Sequence, residues 1–304
     1  MSKKITFYAN CQGIAIAKTL QENSAFADSY YWEKIEPIQN LKAAHVPSVI
    51  KTISTADVIV YQAISNRGRP SELSSQSVLQ HAKRDAKLIS IPSLYFDGYF
   101  PHLSSMNGLK GVLNLVHDYC IAYAYCKGIG ASDCFEMLQS EDLYSPELSK
   151  SLFEKSLDNL KRRERQEQLD ISISNYIEEN FRNKKLFNQF NHPTRKIFEF
   201  ISNQIIERLS IEQIAYDTSS QRGYLDAIIT PIYRSTYHSL GLRFEEDFET
   251  YWTVDSKQYA QAKIIDQFYR LYNQMDRSDI ITAIQEKKPF VSRMIDKYQH
   301  PLIT

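Results

Sequence analysis

Two residue sets, far apart in the chain, have the types that nucleophilic and proton-transfer chemistry uses. Asn10-Cys11-Gln12-Gly13 reads as a tight turn between a short apolar run, Ile5 to Ala9, and a helical run, Ile14 to Leu20. The thiol of Cys11 is thereby expected at a strand end and a helix start, where free backbone N–H groups and a partial positive charge favour an anion. Such a setting lowers a thiol's pKa and makes it a better nucleophile near neutral pH. A buried, inert cysteine is the common alternative. The second set is Asn191-His192-Pro193-Thr194. Pro193 suits the first helical position, which makes His192 the expected N-cap of a helix from Thr194 to Leu209. Imidazolium is disfavoured at a helix start, so His192 should be neutral and able to accept a proton. A plain cap is the other reading of His192. A catalytic cysteine needs a base within hydrogen-bond reach, but not one close in sequence.

The elements that must position these groups alternate strand and helix over the first hundred residues. After the opening strand, Tyr30 to Ile38 is a strand candidate, Pro47 to Ile53 a short helix, and Ala56 to Gln62 a buried strand. Ser65 to Pro70 is a loop, Ser71 to Arg84 a helix, and Lys87 to Pro92 another buried strand. Strands separated by helices of this length predict a parallel sheet with ligands at its carboxyl edge. Ser93 to His102 is an aromatic loop. Helical patterns follow over Leu109–Lys127, Ser132–Gln139 and Pro146–Arg182, with Lys184–Phe190 extended. Thr194–Leu209 carries Ile197, Phe198, Ile201, Ile205 and Leu209 at helical spacing. Ile211–Ala215, Ile228–Leu240, Ser256–Met275 and Ser278–Tyr298 complete the helical reading. The predicted architecture is α/β, a Rossmann-like parallel-sheet core with extensive helical additions. It forms one domain over 1–304, with the core at 1–105 plus 184–210 and helical parts at 106–183 and 211–304.

Composition narrows the partners. Lys+Arg and Asp+Glu both number 36, so the net charge is zero. That argues against a nucleic-acid backbone or an anionic membrane as the main partner. No signal-peptide core and no apolar run of membrane-spanning length is present, which predicts a cytoplasmic protein. Cys11, Cys120, Cys126 and Cys134 form no CxxC pair, and no histidines sit at zinc-ligand spacing, so no metal is expected. The helical C-terminal third could serve as a dimer surface, and a homo-oligomer is compatible with it.

Three stretches carry a resemblance. Phe7-Tyr8-Ala9-Asn10-Cys11-Gln12-Gly13 is similar to the opening "GNCQ" motif of the WcbI-type polysaccharide-biosynthesis family of capsule acetyltransferases. Ile91 to Pro101 resembles that family's aromatic-proline motif, and Phe190-Asn191-His192-Pro193-Thr194 its later His-Pro motif. The three occur in the same order and cover about the first two thirds of the chain. Ala9 departs from the family's usual Gly. The layout resembles the SGNH esterases and acetyltransferases with Cys in place of Ser. Their Asp three residues before the His is Gln189 here, so a Cys11/His192 dyad is implied rather than a triad.

The resemblance implies acyl (acetyl) transfer from acetyl-CoA to a hydroxyl of a capsular or other surface-polysaccharide sugar. Cys11 would carry the acyl group, or only position the thioester for direct transfer, with His192 as base. Backbone N–H groups of Cys11 and Gln12 are candidate oxyanion donors. Asn10, the Gln12 side chain, Gln62 and Asn66 are positioning or donor candidates at the same sheet edge. Arg67 and Arg69 could bind the phosphates of coenzyme A, or be an ordinary loop pair. Tyr95, Tyr99 and His102 could line the pantetheine or acceptor groove, or simply pack over the sheet. Arg195 could bind phosphate or form a salt bridge. An esterase or thioesterase using the same dyad, and a non-catalytic glycan-assembly binding protein, are the alternative functions.

Overall fold

The computed structural model describes residues 2–65, 70–106, 108–112, 116–212, 224–225, 228–253 and 257–299. Contacts divide the chain into two compact units, one of residues 1–94, 159–178 and 193–225, the other of 95–158, 179–192 and 226–304. The sequence predicts one domain, with its α/β core at 1–105 plus 184–210.

The first unit holds a four-stranded parallel sheet of β1 (Lys3–Tyr8), β2 (Tyr30–Trp32), β3 (Val58–Gln62) and β4 (Lys87–Ile91), in the order β2-β1-β3-β4. Ile5, Phe7, Val58, Ile59, Val60, Ile89 and Ile91 are buried. Such near-continuous apolar, β-branched runs are what a sheet covered on both faces requires. The expected α/β architecture with a parallel core is therefore present. β2 is shorter than the predicted Tyr30–Ile38 strand. The predicted helix Ser71–Arg84 reduces to a 3-10 turn, Ser71–Leu73, and one short helix, Ser75–Leu79.

Helix α1 (Cys11–Gln21) follows β1 after a two-residue turn and packs on the helix Arg195–Arg208. The buried faces are Ala15, Ile16 and Leu20 on one helix and Ile197, Phe198, Ile201 and Ile205 on the other. Gly13 makes the tight turn between β1 and α1 possible. A Cβ there would lie 2.7 Å from the Ala9 Cβ and 3.4 Å from the Phe7 Cβ. Ala9 is thus tolerated because residue 13 has no side chain. Gly13→Ala is expected to cost about 1–3 kcal/mol through overpacking, and Ala9→Gly in the same protein should recover most of it. Denaturant unfolding of the two singles and the double measures the coupling; additive effects would contradict this account.

In the second unit the helix Tyr119–Cys126 is the centre of the core. Tyr119, Cys120, Ile121, Ala122 and Ala124 are fully buried among helices Ala131–Gln139, Gln261–Tyr272, Arg277–Lys287 and Phe290–Gln299. The predicted helix Leu109–Lys127 is corrected here. Val116–Asp118 is a strand, antiparallel to Leu103–Ser105, and helix begins only at Tyr119. Asp118 enforces that start: its carboxylate accepts from the Cys120 and Ile121 N–H groups at 2.9 and 3.2 Å. The predicted helix Ile228–Leu240 is also corrected. Ile228–Ile229 pairs antiparallel with Thr250–Thr253, which pairs with Gln258–Ala260, and helix covers only Arg234–Ser239. Among the described residues, no helix is long and apolar enough to cross a membrane, and no cluster of three metal-ligating side chains occurs.

Candidate active site

In the first unit the turn after β1 assembles Asn10, Cys11, Gln12 and Gln62. Asn10 caps α1, its Oδ1 accepting from the Gln12 N–H at 2.9 Å. Cys11 is the first helical residue and is half-buried. Gln12 and Gln62, each 2% exposed, stitch the carboxyl ends of the strands together. Gln12 Nε2 donates to the Leu94 carbonyl at 2.9 Å, and Gln12 Oε1 accepts from the Leu94 N–H and from Gln62 Nε2, both at 3.0 Å. Gln62 Nε2 also donates to the Pro92 carbonyl at 3.1 Å, while Gln62 Oε1 accepts from the Asn10 N–H at 3.0 Å. These two amides hold the turn in place and are committed to doing so. Buried amides must be paired in this way.

The predicted lowering of the Cys11 pKa is overturned. Burial pushes the thiol above its ordinary value, and the Gln39 side chain and the N–H groups of Cys11 and Gln12 only partly offset it. Gln39 was not singled out from sequence. It lies 28 residues from Cys11, in a 3-10 turn, Ile38–Asn40, that docks on the end of β1 through Ile38 N–H to Ala9 O at 3.1 Å. No local pattern marks such a contact.

Arg195, also in the first unit, is the first residue of its helix. It pairs with Glu22 and, at 2.7 Å, with Glu199. The predicted salt bridge is thus present. Asn66, Arg67 and Arg69 lie outside the described residues.

The second unit joins the aromatic-proline motif to the His-Pro motif. The Phe96 N–H donates to the Phe190 carbonyl at 2.7 Å, and the rings of Tyr95 and Phe190 lie 5.1 Å apart. Asp97 is anchored by the Ser156 hydroxyl at 3.0 Å and by Lys288 at 3.0 Å. His192 does not cap a helix: it stands in the two-residue strand His192–Pro193, and Thr194 is the residue before the helix. Its Nδ1 is buried without a hydrogen-bond partner, and burial lowers its pKa. The neutral form predicted for His192 thus has a different cause, desolvation. Gln189 donates to the Thr230 hydroxyl at 2.9 Å.

Tyr99 and His102 are fully buried and offer no surface to a cofactor. The Tyr99 hydroxyl donates to the Phe181 carbonyl at 2.8 Å. His102 stacks on Tyr233, ring centroids 4.0 Å apart. Its Nε2 lies 3.8 Å from the Asp118 carboxylate, beyond hydrogen-bond distance. Burial holds the imidazole neutral and raises the Asp118 carboxyl to about 6, so the contact is not an ion pair despite the opposite formal charges. Asp118 instead accepts from the Tyr233 hydroxyl at 2.5 Å. It also borders a cavity of about 20 Å³, room for about one water.

This buried carboxyl makes stability pH-dependent. Its folded-state pKa of about 6 exceeds the ordinary 3.8, so its contribution is full at acid pH and is lost as pH rises through about 6. The loss is on the order of 3 kcal/mol. Asp118→Asn keeps a carbonyl acceptor and removes this titration, so the stability gap between parent and variant should change across that window. Parallel pH–stability curves would contradict the assignment.

The fold and site define an α/β protein with a cysteine at the carboxyl edge of a parallel sheet. The model of the polysaccharide biosynthesis enzyme WcbI matches residues 4–214, which include all three motifs, and the chain belongs to that family of polysaccharide biosynthesis enzymes. Comparison with curated proteins finds no match. A solved structure of WcbI, a novel polysaccharide biosynthesis enzyme, has the same fold. It is the native protein without a disulfide bond between coenzyme A and a cysteine. It is 22% identical, covers 98% of this chain and 99% of its own, and superposes with a TM-score of 0.88.

Proposed function

We propose that this protein transfers an acyl group from a coenzyme A thioester to a hydroxyl of a polysaccharide sugar, with Cys11 as nucleophile and His192 as base. The observation that carries this is the position of Cys11: half-buried, first in its helix, at the carboxyl end of β1. Ligands of open α/β sheets bind at that edge. Membership of a polysaccharide biosynthesis family supports a sugar acceptor. The coenzyme A and cysteine of the WcbI structure support a thioester donor. His192, neutral through burial and with an unpaired Nδ1, has the protonation state a base needs.

The chemistry balances in two half-reactions. His192 takes the Cys11 proton, the sulfur attacks the thioester carbonyl, and the carbon–sulfur bond to coenzyme A breaks. Coenzyme A leaves with the proton from His192. His192 then takes the proton of the sugar hydroxyl, whose oxygen attacks the acyl-Cys11 and expels the thiol, reprotonated by His192. Arg67 and Arg69 are the proposed partners of the coenzyme A phosphates.

The test is intact-mass analysis after mixing with acetyl-CoA alone, then with sugar acceptor. An acetyl adduct confined to Cys11, matched by released coenzyme A and discharged by acceptor, is expected. Turnover without any adduct would replace the two-step route by direct transfer. Continuous release of coenzyme A to water alone would make the protein a thioesterase.

A further inference from the structure

We propose that the amino-terminal edge of the parallel sheet holds a second ligand site, a groove for an uncharged saccharide that does not involve Cys11. The four strands run the same way, so their first residues lie together at the end of the sheet away from the Cys11 turn. The length of β1 separates the two ends by roughly 17 Å, at about 3.3 Å per residue. Two adjoining cavities of about 240 and 480 Å³ open at the amino-terminal end and share Lys3, Tyr30 and Leu209. The larger falls within the range of about 300–1,000 Å³ typical of small-molecule sites. A sugar ligand agrees with membership of a polysaccharide biosynthesis family and does not depend on the acyl-transfer function proposed above.

The groups around the groove select the chemistry of its ligand. Lys3 and Lys87 bring ammonium groups, and Asp28, Asp57 and Asp85 bring carboxylates. An anion would face three carboxylates, and a cation two ammonium groups. No cluster of three metal-ligating side chains occurs among the described residues. An apolar ligand would desolvate these polar groups without pairing them. A polyhydroxylated ligand suits both signs of charge, because each hydroxyl donates to a carboxylate and accepts from an ammonium group. Asp57 is a fixed part of the wall, its carboxylate accepting from the Lys4 N–H at 2.7 Å and from Lys83 Nζ at 2.6 Å. Lys3, Asp28 and Asp85 are exposed. Tyr30, which borders both cavities, is the other fixed part. It is 6% exposed, and its ring stacks on Phe26 with centroids 5.3 Å apart. Its hydroxyl nevertheless makes no hydrogen bond among the described residues. Burial and then the Asp57 carboxylate raise its pKa, so it stays a protonated donor. Buried hydroxyls are ordinarily paired, and a sugar oxygen in the groove supplies the partner.

The experiment titrates the full chain by ligand-observed NMR with uncharged gluco-, manno- and galacto-configured tetrasaccharides, and with inorganic phosphate. It compares the parent with Tyr30→Phe, Asp85→Ala and Cys11→Ala. Tyr30→Phe removes one hydroxyl and keeps the stack on Phe26, and Asp85 is exposed, so neither should lower the denaturant midpoint. At least one tetrasaccharide is expected to bind the parent. Its affinity should fall about 2–10-fold in Tyr30→Phe and in Asp85→Ala, the loss of one hydrogen bond, and stay unchanged in Cys11→Ala. Affinity unchanged in both groove variants, or lost in Cys11→Ala, would put the sugar elsewhere and overturn the groove. So would a parent that binds none of the tetrasaccharides, or one that binds phosphate more tightly than any of them. A parent that binds sugar in the groove yet is inert toward acetyl-CoA would overturn the acyl-transfer function alone.

Discussion

Cys11→Ala is expected to lower acyl-transfer kcat/KM by about 10³-fold or more, with little effect on folding. The chemical loss follows from removing the proposed nucleophile of a two-step transfer, where the remaining groups recover only a residual rate. The structural effect is small for local reasons. Cys11 opens the helix, is half-buried, and its capping bonds are made by Asn10 rather than by its own side chain. Alanine is also the best helix former. Steady-state kinetics with a sugar acceptor, beside denaturant unfolding of the same sample, separates the two effects. Retention of a tenth or more of the parent rate would remove Cys11 from the covalent step. The pH response adds an independent sign. Burial raises the Cys11 pKa, so the thiolate fraction, and with it the rate of alkylation, should keep rising beyond the pH at which an ordinary thiol levels off. In the proposed reaction a base must therefore take the thiol proton at neutral pH, the role proposed for His192.

Gln62→Leu is expected to cost about 3–5 kcal/mol, the largest stability effect of a single side chain at this site. Leucine keeps the volume but can pair neither the Asn10 N–H nor the Pro92 carbonyl, and it withdraws the donor that Gln12 Oε1 accepts. Each buried group left unpaired costs about 1–3 kcal/mol. Because the Asn10 amide is one of them, the damage reaches the turn that carries Cys11. The denaturant midpoint should fall, and Cys11 alkylation should change with it. A cost below about 1 kcal/mol would mean that water replaces the glutamine amide at little expense.

The site was unevenly legible. The Ile5–Ala9 run, the Asn10 cap and Gly13 mark a strand, a turn and a helix start within a dozen residues, and Cys11 stands where they predict. The same holds for β3 and β4, and for the helix stripe Ile197, Phe198, Ile201 and Ile205. The apolar run before Tyr119 reads as helix but ends in a strand, Val116–Asp118, because short apolar stretches suit a buried strand and a buried helix equally. Asp118, capping from within the core, decides between them. Pro193 suggested a helix start at His192, yet that residue belongs to a strand.

What the sequence determined by itself is local: the β1–turn–α1 unit, the parallel strands of the first unit, and the motifs that place the chain in its family. Tertiary structure alone decided what the polar groups do. Gln12 and Gln62 became a structural clasp. Tyr99 and His102 went into the core, and Arg195 went to two glutamates. It also reversed the direction of the Cys11 shift, because the favourable helix terminus is a property of a few adjacent residues, whereas desolvation is imposed by residues distant in the chain.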